Sequence, residues 1–291
     1  MNTKTIKRRK NTDPWFFFTK SAEEKIVHLI IMLVMAFILI PLIWMVLGSL
    51  KDMVELFVHS LNLPRQFLWQ NYIKAWKEGG INRYILNSCL VTFGSLVPLL
   101  ILASLAAYSF ARFKFWGSKL FFLIILLGLM ISPQIIVIPL STILNRMKLI
   151  NTHVGLILTY IAWSLPFSVF LLRAFFVNIP QEIIDSARID GCSNFGAFLR
   201  IVMHIARPGL FSVSIFSGIN IWNEFLFALI FLRQNSLKTI PVGLTALKGR
   251  YSSDYPVMLA GLTITVIPPL ILFIIFNREF TKGLTAGSLK T

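Results

Sequence analysis

Leu29 to Leu47 is an uninterrupted apolar run. As a helix it is long enough to cross roughly 30 Å of hydrocarbon. No water is available inside a bilayer, so a chain there must satisfy its own backbone hydrogen bonds as a helix or in a closed barrel. The run is too long for a signal-peptide core, and no small-residue cleavage site follows, so it reads as a retained first helix. Composition extends that reading to the whole chain. Of 291 residues, 56% are hydrophobic and 14% charged. A soluble domain is nearer about 45–50% apolar and roughly 25% charged. The expected class is an all-α, polytopic membrane protein.

Six helical spans are expected, at about 29–47, 84–111, 120–143, 154–177, 210–232 and 256–276. The third is interrupted by Pro133 and Pro139. Residues 1–25 form a basic arm with Lys4, Lys7, Arg8, Arg9, Lys10, Lys20 and Lys25. Such an arm stays in the cytoplasm, as does the short turn with Arg112, Lys114 and Lys119. These two segments carry the orientation, because the excess of Lys and Arg on the inside is modest over the chain. Both termini are then cytoplasmic. The expected divisions are the arm at 1–25, a six-helix domain at 26–276 with a loop at 178–208, and a tail at 277–291. Of the outside loops, 51–83 reads as a small ordered cap, and the third covers about 233–255.

The net charge of +16 does not point to nucleic acid. The basic residues flank spans rather than forming a basic cluster interleaved with aromatics. No G-x-x-x-x-G-K-[ST] loop is present to cradle ATP, and neither a G-x-S-x-G elbow nor an H-E-x-x-H helix occurs. No catalytic residue is expected, so an energy-driven chain of this kind must borrow its ATPase. Cys89 and Cys192 fall on opposite sides of the predicted bundle and cannot pair. His28, His59, His153 and His204 lie in different segments, and no metal site is expected.

Residues 180–209, PQEIIDSARIDGCSNFGAFLRIVMHIARPG, are the longest polar-interrupted stretch between two very hydrophobic regions. They read as two short amphipathic helices with a glycine between. Pro180 suits a first helical turn, and Glu182 and Asp185 follow near the positive end of the helix dipole. Asp185 and Arg188, three apart, can meet on one face. Gly191 breaks the run, and Ser193 or Asn194 can cap the second helix. Phe195, Phe198, Leu199, Val202 and Met203 then form one apolar stripe at helical period. Pro208 and Gly209 close the segment. Such a unit on a membrane surface is either an ordinary interfacial loop or a knob offered to a soluble partner.

The residues DSARIDG…IVMHIARPGL resemble the cytoplasmic coupling motif of the permease subunits of binding-protein-dependent ABC importers. That motif reads Glu-Ala-Ala, three residues, Gly, nine residues, then Ile-x-Leu-Pro. Asp185, Ser186, Ala187, Gly191 and Ile201 take its positions here with the spacing intact. Met203 and His204 stand where Leu-Pro is usual, and Pro208 follows. The resemblance implies a type I importer permease fold in a bacterial cell membrane, docked on a separate ATPase dimer that holds ATP and Mg, with no cofactor on this chain. Glu182, Asp185, Ser186, Ala187, Asp190 and Gly191 are the residues it assigns to that contact.

The fifth predicted span contains GINIWNEFLFALIFL. Asn220, Asn223, Glu224 and Phe227 fall on one helical face. A carboxylate within a span is costly and faces a bundle interior or a wet cavity. This face is either a solute path, with Trp222 for stacking, or the site of hydrogen bonding between helices. WNEFLFAL also resembles the sugar-importer permeases, as do LPxxFxWxNYxxAW at residues 63–76 and the GLTAGSLK tail. These features resemble the smaller permease of maltose-type importers. They imply a carbohydrate substrate moved by alternating access, a second permease subunit and an extracytoplasmic solute-binding protein. A permease for another solute, a cation-coupled secondary transporter and a membrane scaffold are the alternatives. A secondary transporter would be expected to show half-repeats and broken helices around several midplane charges, and would have no use for a coupling loop.

Overall fold

The computed structural model describes residues 22–250 and 254–286, and no strand occurs among them. The first helix, α1 (Ala22–Ser49), is apolar all round from Leu29 to Leu47, and it leaves Leu33 and Phe37 exposed while lying along the last helix. A helix that is hydrophobic on every face belongs in a core or in a bilayer. Two short helices follow, α2 (Met53–Val58) and α3 (Gln70–Lys77). They form the ordered cap expected at 51–83. Asp52 caps α2 by accepting from the Glu55 N–H at 2.7 Å. Lys51 is fully buried and donates its Nζ to the carbonyls of His59 and Ser60, at 2.8 and 3.0 Å. Asn71 of α3 donates to the carbonyls of Ser49 and Lys51, which welds the cap to the end of α1.

The central pair is α4 (Ile81–Arg112) and α7 (His153–Val177), which lie against each other along most of their length. Small and hydroxylic residues, such as Ala103, Ala107 and Ser168, are buried along these helices. Such residues let membrane helices approach closely. Thr152 caps α7 through the Gly155 N–H at 3.1 Å.

Between them, the predicted third span is not one straight helix. It is α5 (Ser118–Leu127), a 3-10 turn (Gly128–Met130) and α6 (Pro133–Arg146), bent by 104°. Pro133 lacks an N–H and pushes the preceding Ser132 into the extended region, with ψ 137°.

The remaining elements are α8 (Gln181–Ile189), α9 (Asn194–Ala197), a π turn (Phe198–Val202), α10 (Met203–Ile205), α11 (Arg207–Asn223), α12 (Leu226–Phe231), a 3-10 turn (Asn235–Leu237), α13 (Ile240–Arg250) and α14 (Tyr255–Ala286). Four sequence expectations need correction here. Pro208 does not close the coupling segment; it sits in the first turn of α11, where its missing N–H costs nothing. The predicted fifth span breaks at Glu224, whose extended ψ of 130° ends α11. The predicted third outside loop is largely helix, and α13 buries Ile240, Val242 and Leu247. The last helix does not stop near 276 but continues to Ala286. Residues 1–21 of the basic arm and 287–291 of the tail lie outside the described residues.

By length and composition three described helices can cross a membrane alone, and up to five if each bent pair counts as one span. The two bent pairs are α5 with α6, and Asn194–Ile205 with α11, the latter at 74°. Three apolar cores hold the bundle together. One joins α4 and α7 to α8 through Tyr108, Phe176, Ile184 and Phe198. A second gathers Val91, Tyr160, Phe227 and Phe231 near α12. The third packs α3 against α13 and α14 around Ala75, Tyr84 and Trp222.

Candidate functional site

The helix–glycine–helix segment forms as its sequence indicates, and its geometry explains the residue types. On α8, Ile184 and Ala187 are buried against the first core, so position 187 admits only a small side chain. The helix ends in a Schellman arrangement. The Cys192 N–H reaches the Ala187 carbonyl at 2.9 Å and the Gly191 N–H reaches Arg188 at 3.0 Å. Gly191 occupies the left-handed region with φ +86°, and a Cβ there would meet nothing within 4 Å. Backbone conformation, not crowding, is therefore what calls for glycine at this turn.

Polar side chains tie the two helices together. Gln181 Nε2 donates to Asp185 Oδ1 at 3.0 Å. Arg188 reaches the same oxygen at 3.2 Å, as the i, i+3 spacing implies. Arg188 also donates from Nε to Asn194 Oδ1, at 2.9 Å. Ser193 caps α9 through the Gly196 N–H at 3.1 Å. Glu182, Ser186 and Asp190 stand exposed on the same element, with the Ser186 hydroxyl turned back onto the Glu182 carbonyl.

The predicted apolar stripe of the second helix is split. Phe198 and Val202 are buried, whereas Phe195 and Leu199 are exposed. Phe198 and Val202, four apart, turn to the first core, whereas Phe195 and Leu199, also four apart, fall on the adjacent face. Phe195 and Leu199, with Ile189 at 87% exposure, leave an apolar patch on an otherwise polar element. Apolar exposure of this kind marks a contact surface. The bare helical period could not single out these three residues, since it assigned the whole stripe to one face.

The second constellation is a cavity of about 330 Å³ between α7, α11 and the bend of the α5–α6 pair. Tyr160, Trp163, Ser164 and Phe167 line it from α7, and Phe216, Ser217 and Asn220 from α11. Glu224 lines it from the break after α11. Phe167 and Phe216 stack across it with centroids 4.3 Å apart. Gly128 completes the wall from the bend, where a Cβ would come within 2.8 Å of Pro166.

Glu224 accepts the Tyr160 hydroxyl at 2.6 Å. Its two oxygens also accept the N–H groups of Phe227 and Ala228, at 2.9 and 3.2 Å. The carboxylate thus caps α12 and lines the cavity at once. The four predicted path residues do not stay together. Asn220 and Glu224 reach the cavity. Trp222 is instead buried among Ala75, Tyr84 and Leu247, so it is a packing residue and not a stacking platform on this cavity. Asn223 is exposed and does not line the cavity. The common helical face expected for Asn220, Asn223, Glu224 and Phe227 fails because the helix breaks between Asn223 and Leu226. The aromatic wall on α7 escaped the sequence reading, for α7 is predominantly apolar and nothing local distinguishes Tyr160 or Trp163 from core.

Cys89 and Cys192 are both free. No cluster of three or more His, Cys, Asp or Glu side chains that could hold a metal occurs among the described residues.

Residues 99–285 match the family described as binding-protein-dependent transport system inner membrane component. The chain is 39% identical over 250 residues to the probable ABC transporter permease protein YurM of Bacillus subtilis, covering 86% of this chain and 83% of that protein. It is 36% identical to the arabinooligosaccharides transport system permease protein AraQ of Halalkalibacterium halodurans, covering 86% and 90%. Its fold is similar to that of a chain from a bacterial ABC transporter that imports the acidic polysaccharide alginate. The TM-score is 0.77 at 18% identity, covering 90% of this chain and 99% of that one.

Proposed function

The chain belongs to the binding-protein-dependent transport system inner membrane component family, and we propose that it is one permease subunit of an ABC importer for an oligosaccharide. The observation that carries this reading is the α8–Gly191–α9 knob. It presents the exposed Ile189, Phe195 and Leu199 beside a polar network, within the stretch whose residues resemble the family's coupling motif. Relatives named for oligosaccharide transport support the substrate class. Under this reading Glu182, Asp185, Ser186, Asp190 and Gly191 face ATPase subunits that hold ATP and Mg, whereas Ala187, also expected at that contact, is buried in the first core and seats the knob on the bundle instead. A second permease and an extracytoplasmic binding protein complete the assembly. The chain crosses the membrane six times, with the bent α5–α6 pair as one crossing, and both termini are cytoplasmic.

Closure of the ATPase dimer then moves the knob, and the bundle turns between inward and outward openings. The cavity between α7 and α11 is the stretch of solute path contributed by this chain. The Trp163 ring suits the C–H face of a pyranose, and Asn220 and Glu224 suit its hydroxyls. Asn220 and Phe216 are exposed on the open side of the cavity, where the second permease would close it.

The test is reconstitution of the chain with its partner subunits in vesicles, offered a panel of labelled di- to pentasaccharides of neutral, N-acetylated and uronate type. Uptake should need both ATP and the binding protein. Uptake driven by a cation gradient without ATP would instead establish a secondary transporter.

A further inference from the structure

We infer that Arg112 is a positioning residue that locks the knob to the transmembrane bundle as one lever. This inference rests on the transport reading above. Arg112 is the last residue of α4 and half-buried. Its Nη2 donates to the Phe176 carbonyl at 2.7 Å and also to the Ile179 carbonyl. The Phe176 carbonyl lies in the last turn of α7 and the Ile179 carbonyl in the link to α8, and the dipole of α7 favours a cation there. Its Nη1 donates to Gln181 Oε1 of α8 at 3.1 Å. One planar guanidinium therefore grips three elements: α4, which carries it, the end of α7, and the first turn of α8. From Gln181 the bonds run on without a gap through Asp185 and Arg188 to Asn194, so they reach the second helix of the knob.

Two features separate this arrangement from ordinary helix capping. Capping α7 needs only the two carbonyl contacts, and the third bond goes to a side chain on the knob. The other joints of α8 to the bundle are apolar, through Ile184 and Ala187. Apolar contact is non-directional, whereas a guanidinium fork fixes distance and angle together. The fork thus sets the rotation of the knob relative to α4 and α7. Because α7 also carries Tyr160 and Trp163, a push on the knob reaches the cavity wall rather than turning the knob in place.

The experiment uses the full complex in vesicles, with wild type, Arg112→Lys, Gln181→Leu, Gln181→Glu and the Arg112→Lys/Gln181→Leu double variant. The readouts are subunit stoichiometry, thermal midpoint, and sugar taken up from the labelled panel per ATP hydrolysed. A lysine keeps a cation for the α7 carbonyls but lacks the fork. Gln181→Leu leaves the α7 cap untouched, while Gln181→Glu preserves an acceptor for the guanidinium and removes only the donor to Asp185. Arg112→Lys and Gln181→Leu should each lower the ratio about tenfold, as expected for one charge-assisted hydrogen bond. Stoichiometry should be unchanged, Gln181→Glu, which keeps the bond to Arg112 but loses the donor to Asp185, should fall between wild type and Gln181→Leu, and the double variant should fall short of the product of the singles, because the two share the Arg112–Gln181 bond.

An assembled Gln181→Leu complex with the wild-type ratio overturns the inference, as does an additive double variant. If Arg112→Lys fails to assemble, the two Gln181 variants decide alone, because Gln181 is exposed and caps nothing on α7. If the wild type takes up no member of the panel, the transport reading fails by itself. The lock is then read from the affinity of the ATPase subunits for the membrane chain, which should fall several-fold in Gln181→Leu; an unchanged affinity overturns it.

Discussion

Removing the Glu224 carboxylate separates its two tasks, and the structure supplies the magnitudes. Glu224→Ala deletes a side-chain cap on α12, worth about 1 kcal/mol with a range of 0.5–2. It also strands the Tyr160 hydroxyl, which is 2% exposed and donates to Glu224 at 2.6 Å. An orphaned buried donor costs about 1–3 kcal/mol. The low end applies here, since Tyr160 borders a cavity that can admit water. The sum is about 2–3 kcal/mol, from the cap and the orphaned hydroxyl together. Tyr160→Phe alone loses one net hydrogen bond, about 1 kcal/mol. In Glu224→Ala/Tyr160→Phe no hydroxyl is left stranded, so the double variant should regain part of the loss and be more stable than Glu224→Ala. Thermal unfolding of the purified complex in lipid nanodiscs would rank the midpoints as wild type, then Tyr160→Phe, then the double variant, with Glu224→Ala lowest. A double variant that melts below Glu224→Ala, or a Glu224→Ala complex that melts with wild type, would refute the capping argument. Competitive uptake on the same preparations tests the other task. If the cavity carries solute, Asn220→Ala should change sugar preference without moving the midpoint.

Gly191→Ala and Gly191→Leu should lower stability equally, by roughly 1–2 kcal/mol, because the left-handed backbone is strained for either side chain and nothing crowds the added Cβ. Transport should fall much further for Gly191→Leu, whose bulk obstructs the proposed ATPase contact; equal transport in the two variants would take Gly191 off that surface. Asp185→Lys should abolish transport, since it removes the acceptor shared by Gln181 and Arg188; normal uptake would sink the role given to the polar network. With Cys89 replaced, a membrane-impermeant thiol reagent should leave Cys192 unlabelled in intact cells and react with it in inside-out vesicles. Labelling in intact cells would reverse the orientation.

What the linear chain determined by itself is set by local physics. An apolar run such as Leu29–Leu47 must close its own hydrogen bonds in lipid, so helical class was legible from length and composition. The knob was legible for the same reason. The Gly191 turn, the Asp185–Arg188 pair and the Ser193 cap are all contacts within a few residues, and helix termination depends on neighbours at that range. Tertiary structure alone decided what depends on distant partners. Glu224 could end α11 because Tyr160, far away in sequence, and the freed N–H groups of α12 together satisfy its carboxylate. That break sends Trp222 into the packing around Ala75 and Tyr84, and leaves Asn223 outside the cavity. Packing against the first core takes Phe198 and Val202 and leaves Leu199, on the neighbouring face, exposed. Arg112 looks in sequence like any cation at a helix end. Its three acceptors lie beyond a whole intervening helix pair, and no periodicity reaches that far.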